Sequence, residues 1–201
     1  MEDGVTRLVP GEPGYPAGRL AAVGQPALGL VGAAELLRQP LVALLCSRRC
    51  PGELILRTYD LARRLRDEGV AVISGFHTPM EREALHFLLK GSQPLVVAPA
   101  RSLEGMRIPA AYRGPLAQGR LLLVSALGAG ERRITAGLAR ERNRLVGALA
   151  GRIVVVYAQP GGALEAACAE FVRWGRPVVA LASRANEHLA ALGVALGEEA
   201  G

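Results

Sequence analysis

Six short apolar runs recur along the chain with polar, helix-periodic segments between them: "LVALLC" (41–46), "VAVIS" (70–74), "LVVA" (95–98), "LLLV" (121–124), "IVVVY" (153–157) and "VVAL" (178–181). None alternates with polar residues, so none presents a wet face. Strands of this kind are buried on both sides, as in parallel sheets covered by helices. In "ELILRTYDLARRLRDEG", Ile55, Tyr59, Ala62 and Leu65 share a stripe, Arg57, Asp60, Arg64 and Asp67 face away, and Gly69 supplies a stop. In "HTPMEREALHFLLKG", Thr78 caps a helix, Pro79 fits its first turn, Glu81 completes a capping box and Gly91 ends it. "ITAGLARERNRLVGALAG", with a core stripe of Leu138, Leu145 and Leu149, and "ALEAACAEFVRWG" complete the alternation. The pattern predicts a doubly wound α/β domain over residues 40–183, with a mainly parallel sheet of about six strands. Residues 1–39, rich in proline and glycine, predict an extended N-terminal arm packed on that domain; residues 184–201 predict a C-terminal helix and tail.

Composition narrows the function classes. A chain of 201 residues, half of them hydrophobic and 21% charged, can bury one sizeable core. No run reaches the roughly 18 apolar residues of a membrane span, and the first residues lack a signal peptide's apolar centre. The expectation is a cytoplasmic protein with no membrane partner. Cys46, Cys50 and Cys168 show no CxxC spacing and no histidine at ligand distance, so neither a disulfide framework nor a zinc site is predicted. A formal charge of +6 favours anionic partners. The near absence of lysine beside so many arginines is what a GC-rich coding sequence produces, and it does not by itself argue for phosphate.

Ligands of an open parallel sheet bind beyond the carboxyl ends of its strands. Ser47 and Arg48 follow the first run, Ser74 ends the second and Gly75 follows it, and Gly161 and Gly162 follow the fifth. Glycine lets a backbone approach a phosphate, and the free N–H groups of a helix's first turn attract anions. Arg140 and Arg144 lie on one helix face while Arg142 points elsewhere, so the three cannot line one pocket. Solvated arginines are the plain alternative reading for that run, and a tight strand-to-helix turn is the plain reading for Pro160, Gly161 and Gly162. No G-x-G-x-x-G follows the first run, no Walker lysine motif is present and no G-x-S-x-G elbow occurs, so no cofactor is predicted.

Taken in order, these residues resemble the DprA/Smf family of DNA-processing proteins, whose Rossmann-like domain belongs to a superfamily shared with cytokinin-activating phosphoribohydrolases. The resemblance runs from about residue 11 to 181. It rests on "YPAGRL", "AAELLRQPLVALLCSR", "GVAVISGF", "RNR" (Arg142, Asn143 and Arg144) and "GGALEAACAEFVRWGRPVVAL". The chain departs from the family at several points. Cys46 stands for the glycine of a glycine-serine-arginine turn, Thr78 and Pro79 for an arginine-glycine pair, Gly161 for a serine and Ala166 for a threonine. The resemblance implies single-stranded DNA binding at Ser47, Arg48, Ser74, Gly75, Arg142, Asn143, Arg144, Gly161 and Gly162. It also implies a homodimer, hand-over of the strand to a recombinase, and a role in DNA uptake and natural transformation. Phe76, Tyr112 and Tyr157 are the aromatic candidates for base stacking. The phosphoribohydrolases carry Pro-Gly-Gly-x-Gly-Thr-x-x-Glu. Here "PGGALEAAC" puts Leu164 and Glu165 at the glycine and threonine positions and Cys168 at the glutamate's. Glu165 is then a weak catalytic candidate, and no hydrolysis of nucleoside monophosphates is expected. A non-catalytic nucleotide sensor on the same edge stays open beside the DNA reading.

Overall fold

The computed structural model describes residues 4–197. The six apolar runs form six parallel strands: β3 (Val42–Cys46), β4 (Val72–Ser74), β5 (Leu95–Val97), β6 (Leu121–Ser125), β7 (Arg152–Tyr157) and β8 (Val178–Leu181). Their order across the sheet is β6-β5-β4-β3-β7-β8. The chain therefore winds outward from β3 to β6 and returns to the other side of β3 with β7. The two crossover directions part between β3 and β7, which puts the topological switch point there.

Among the described residues the sheet has nine strands rather than about six. The first 39 residues, expected as an extended arm, supply two of the additional ones. β1 (Thr6–Leu8) and β2 (Leu28–Gly32) are antiparallel to each other, and β2 is antiparallel to β6. Both are short, and β2 contains two glycines, so no long apolar run announces them. The segment also docks through side chains. Leu20, Leu28, Leu36 and Leu37 are buried, the Tyr15 hydroxyl donates to the Pro26 carbonyl at 2.8 Å, and Arg19 Nη1 donates to the carbonyls of Leu37 and Leu149. At the far edge, the expected C-terminal helix is a 3-10 segment, Arg184–Leu192. It leads into a ninth strand, β9 (Ala195–Gly197), parallel to β8. The predicted tail beyond 197 lies outside the described residues.

Helices cover both faces. α1 (Ala17–Leu20), α5 (Ala136–Leu149) and α6 (Ala163–Arg173) pack on one; α2 (Glu53–Asp67), α3 (Pro79–Leu88) and α4 (Ala110–Ala117) pack on the other. In α2 the buried residues are Leu54, Thr58, Leu61, Ala62 and Leu65: Ala62 and Leu65 are buried as expected, while Ile55 and Tyr59 stand at the margin and Leu54, Thr58 and Leu61 take the centre. The capping box at the start of α3 forms as expected: the Glu81 N–H donates to Thr78 Oγ1, and the Glu81 carboxylate accepts from the Thr78 N–H. α5 and α6 approach closely because residue 147 is glycine; a Cβ there would stand 2.2 Å from the Phe171 ring.

Candidate nucleic-acid interface

The loops after β3, β4 and β7 meet at the carboxyl edge of the sheet. The Ser47 N–H donates to the Tyr157 carbonyl at 2.7 Å, and the Ser47 hydroxyl accepts from the Gln159 N–H at 2.9 Å. The first and last of these loops are thus tied together across the switch point. Asn186, outside every sequence-based expectation, secures the same region from behind. Its amide donates to the carbonyls of Val156 and Leu181, and its carbonyl accepts from the Ala158 N–H.

The β4 turn is built around a carboxylate. One oxygen of Glu81 accepts the Cys46 N–H at 3.0 Å, and the other accepts the N–H groups of His77 at 2.8 Å and Thr78 at 3.2 Å. The sequence assigned Glu81 to a helix cap, but here it also clamps the end of β3. Its side chain is buried. A buried charge requires compensation, and the polar N–H groups provide part of it.

Arg142 stands opposite. It falls in the expected α5 stripe, three residues before the buried Leu145 and four after Leu138, which is only half-buried, and only 5% of Arg142 is exposed. The expectation that Arg142 points away from its neighbours on the helix is met, yet it points into the domain and not into solvent. Its guanidinium lies against Gly75, where a Cβ would come within 1.2 Å of Nη1. Gly75 is therefore required as a space for the guanidinium. Arg142 Nε and Nη1 are buried without a hydrogen-bond partner among the described residues. Burial pulls the pKa of Arg142 down, against the opposing charge of Glu81.

His77, exposed at the tip of the turn, reports the local field. Burial holds its pKa below the ordinary value, Arg142, Arg82 and Arg48 push it further down, and Glu81 opposes them. Three guanidiniums from three different elements thus act on one imidazole. Arg48, Arg49 and Arg82 are exposed. Ser74, by contrast, is buried, and its hydroxyl accepts the Phe76 N–H at 3.2 Å; it shapes the turn from inside. Phe76 takes a left-handed φ of 46° and is 5% exposed, packed in the core with Met80 and Leu103. The stacking role expected of Phe76 is thereby removed, since its ring faces the core. Tyr112 and Tyr157 remain half-buried.

The other expected residues lie apart. Arg144 leaves α5 toward α6, where its Nε pairs with Glu170 at 2.8 Å and its guanidinium sits 5.7 Å from the Trp174 ring centre. Arg140 and Arg144 flank a groove between the two helices, and Asn143 is half-buried beside them. At the β7 turn Gly161 has a φ of 68°, and its N–H donates to Glu165 at 2.6 Å. Gly162 begins α6, and a Cβ there would stand 2.7 Å from the Gln159 carbonyl. Glu165 also lies 3.5 Å from His188. The turn's leading amide is engaged by the chain's own carboxylate, which is where a bound phosphate would need it.

Comparison with known proteins places these features. The family model for DNA recombination-mediator protein A matches residues 6–196. Among solved structures, DNA processing protein A from Streptococcus pneumoniae is 21% identical, with a TM-score of 0.80 over 97% of this chain and 71% of that one. DNA processing protein A from Helicobacter pylori, a structure concerned with its single-stranded DNA binding mode, is 22% identical. Its TM-score is 0.75 over 96% of this chain and 90% of that one. A molybdenum cofactor carrier protein from Chlamydomonas reinhardtii shares the fold at 15% identity, with a TM-score of 0.54 over 79% of this chain and 90% of that one. No curated protein matches the chain in sequence.

Proposed function

This chain belongs to the DNA recombination-mediator protein A family, and from that premise we propose that the carboxyl-edge loops of its sheet bind single-stranded DNA. The observation that carries the reading is the convergence of Arg48, Arg82 and Arg142 on His77. Two of these guanidiniums are exposed and the third is buried behind them, so the edge offers an anionic backbone a positive field with a rigid base. Phosphate contacts of this kind need no sequence readout. Arg48 and Arg82 are the expected direct contacts, and Arg142 sets the field from within.

The mononucleotide alternative loses support at the β7 turn, where Glu165 holds the Gly161 N–H and would repel a phosphate approaching α6. For the same reason we expect no release of base from nucleoside monophosphates. Assembly as a homodimer in the cytoplasm, hand-over of the strand to a recombinase and a part in natural transformation extend the proposal. No helix among the described residues is long and apolar enough to cross a membrane.

The test is binding of fluorescent oligothymidylates of increasing length across a salt series, with AMP as competitor. Affinity should rise with length, fall steeply with salt, and drop about tenfold in Arg48→Ala, the loss of one charge-assisted contact. Binding that AMP abolishes and length does not change would replace the DNA reading with nucleotide sensing.

A further inference from the structure

Farther along the carboxyl edge, the first two strands and the loops after β5 and β6 enclose a cavity of about 370 Å³. Arg7 on β1 is in register with Gly29 on β2, and Gly29 with Ser125 at the end of β6. Residues paired in this way project from one face of a sheet, so Gly29 leaves a gap beside Arg7. Val5, Leu28 and Leu127 give the cavity apolar walls, and Glu104, from the loop after β5, lines it as well.

The loops hold this shape through their own polar groups. The Ser125 hydroxyl donates to the Arg101 carbonyl at 2.8 Å and accepts the Leu127 N–H at 3.1 Å. The buried Ser102 accepts the Glu104 N–H on its hydroxyl at 3.1 Å, and its own N–H donates to the Glu131 carbonyl at 2.9 Å. The Glu131 carboxylate accepts the Gly128 N–H at 2.7 Å. Glu131 is thus engaged, whereas the exposed side chains of Arg7 and Glu104 are bonded to no described residue. A guanidinium and a carboxylate line one cavity without pairing with each other. From this arrangement we infer that the cavity takes a guanine base.

The two groups select that base by their hydrogen bonds. An arginine donates two parallel bonds to guanine O6 and N7, and a carboxylate accepts from guanine N1–H and the exocyclic amino group on the neighbouring edge. Adenine fails at both, since it turns an amino donor toward the guanidinium and an unprotonated N1 toward the carboxylate. Cytosine offers an amino group to Glu104 but no N7 to Arg7, and thymine presents one N–H flanked by two carbonyl oxygens. The cavity's volume lies in the range of small-molecule sites.

The inference rests on the single-stranded DNA reading of the carboxyl edge and extends it. β6 lies three strands from β3, about 14 Å at the usual spacing, so one DNA strand can cross from Arg48 to the cavity. Arg132 and Arg133 are exposed on the same loop as Leu127 and offer charge to the backbone beside the base. A free guanine nucleotide carries the same base, and the test separates the two sources.

At one salt concentration, an oligothymidylate is compared with a strand of equal length that alternates guanine and thymine, and GMP is measured beside them. The alternating strand should bind the parent protein about tenfold more tightly, the discrimination of one bidentate contact; GMP, which lacks flanking phosphates, should be weaker than both. Replacing the guanines by hypoxanthine, which lacks the amino group, or by 7-deazaguanine, which lacks N7, should each remove most of the gain. Arg7→Ala and Glu104→Ala should bind the two strands alike. Glu104→Ala is the sharper variant: removing an acid from a DNA-binding edge strengthens binding by charge alone, so a lost preference there is no general electrostatic weakening. Equal affinity of the parent for both strands, or a preference that outlives Glu104→Ala, would overturn the inference, while length-dependent and salt-dependent thymidylate binding would leave the DNA reading standing. If neither strand binds but GMP does, through Arg7 and Glu104, the DNA reading falls and the guanine site stands on a free nucleotide. If GMP fails too, both fall.

Discussion

The turns after β4 and β7 solve one problem in two ways. Each opens a helix after a glycine, and in each a glutamate from the helix's first turn reaches back to the turn's own N–H groups: Glu81 to Cys46, His77 and Thr78, and Glu165 to Gly161. Each has a histidine close by. At the β4 turn the carboxylate is buried, serves two strands' loops and faces the buried guanidinium of Arg142. At the β7 turn it is partly exposed, accepts from the Gly161 N–H and lies beside His188. An internal carboxylate can therefore either close a would-be anion site, as at β7, or anchor a cation behind one, as at β4. The difference lies in whether a positive charge is buried with it.

The strongest break in this comparison is removal of the carboxylates. Glu81→Ala leaves the Cys46 and His77 N–H groups without their acceptor and Arg142 without its opposing charge; unfolding in urea should show a loss of about 3 kcal/mol. Glu165→Ala loses one exposed capping bond and should cost no more than about 1 kcal/mol. Equal losses would mean that the burial difference has no energetic weight. Next in size are the glycines. Gly75→Ala puts a methyl where Arg142 Nη1 now stands, and overpacking of this kind costs about 1–3 kcal/mol. Gly161→Ala meets no atom within 4 Å and pays only for its left-handed φ, about 1 kcal/mol. Adding Arg142→Ala should relieve Gly75→Ala and leave Gly161→Ala unchanged. Additive losses for residues 75 and 142 would show that the guanidinium does not rest on that glycine.

The six core strands were legible because parallel strands buried on both faces leave unbroken apolar runs. β1 and β2 were not, since "TRL" and "LGLVG" are short, and what makes them strands is the pairing of β2 with β6 and of β1 with β2, which local sequence does not encode. The candidate site was legible as loops and only partly as side chains. Ser47, Arg48, Gly75 and Arg142 do gather at the switch point, whereas Arg144 is drawn to Glu170 on the next helix. Arg142 could have been separated from its neighbours by spacing alone: residues 138, 142, 145 and 149 form one α-helical row, and a charge in a leucine row is either buried or disruptive. Glu81 hid behind its capping box, a local explanation so complete that nothing in the sequence suggested its bond to Cys46. Phe76 was misleading for a similar reason, because a left-handed backbone at a non-glycine residue turns its ring inward and no sequence pattern announces it.

The smallest effect should come from protons at the β4 turn. The folded state holds the His77 pKa below its ordinary 6.5, first by burial and then by Arg142, Arg82 and Arg48. Above that value both folded and unfolded chains carry neutral imidazole, and the contribution to stability is fully present. As pH falls through 6.5 the unfolded chain binds the proton first, so stability is lost until the folded-state value has also been passed. Unfolding free energy measured from about pH 7.5 down to about 5.5, a window in which ordinary carboxylates stay ionised, should decline in the parent protein and decline less in His77→Gln. Arg48→Ala should weaken the slope by less than His77→Gln does, since Arg48 is the last and least of the causes acting on the imidazole. If His77→Gln left the slope intact, the field at the β4 turn would be weaker than the buried guanidinium requires, and the contrast with the β7 turn would rest on packing alone.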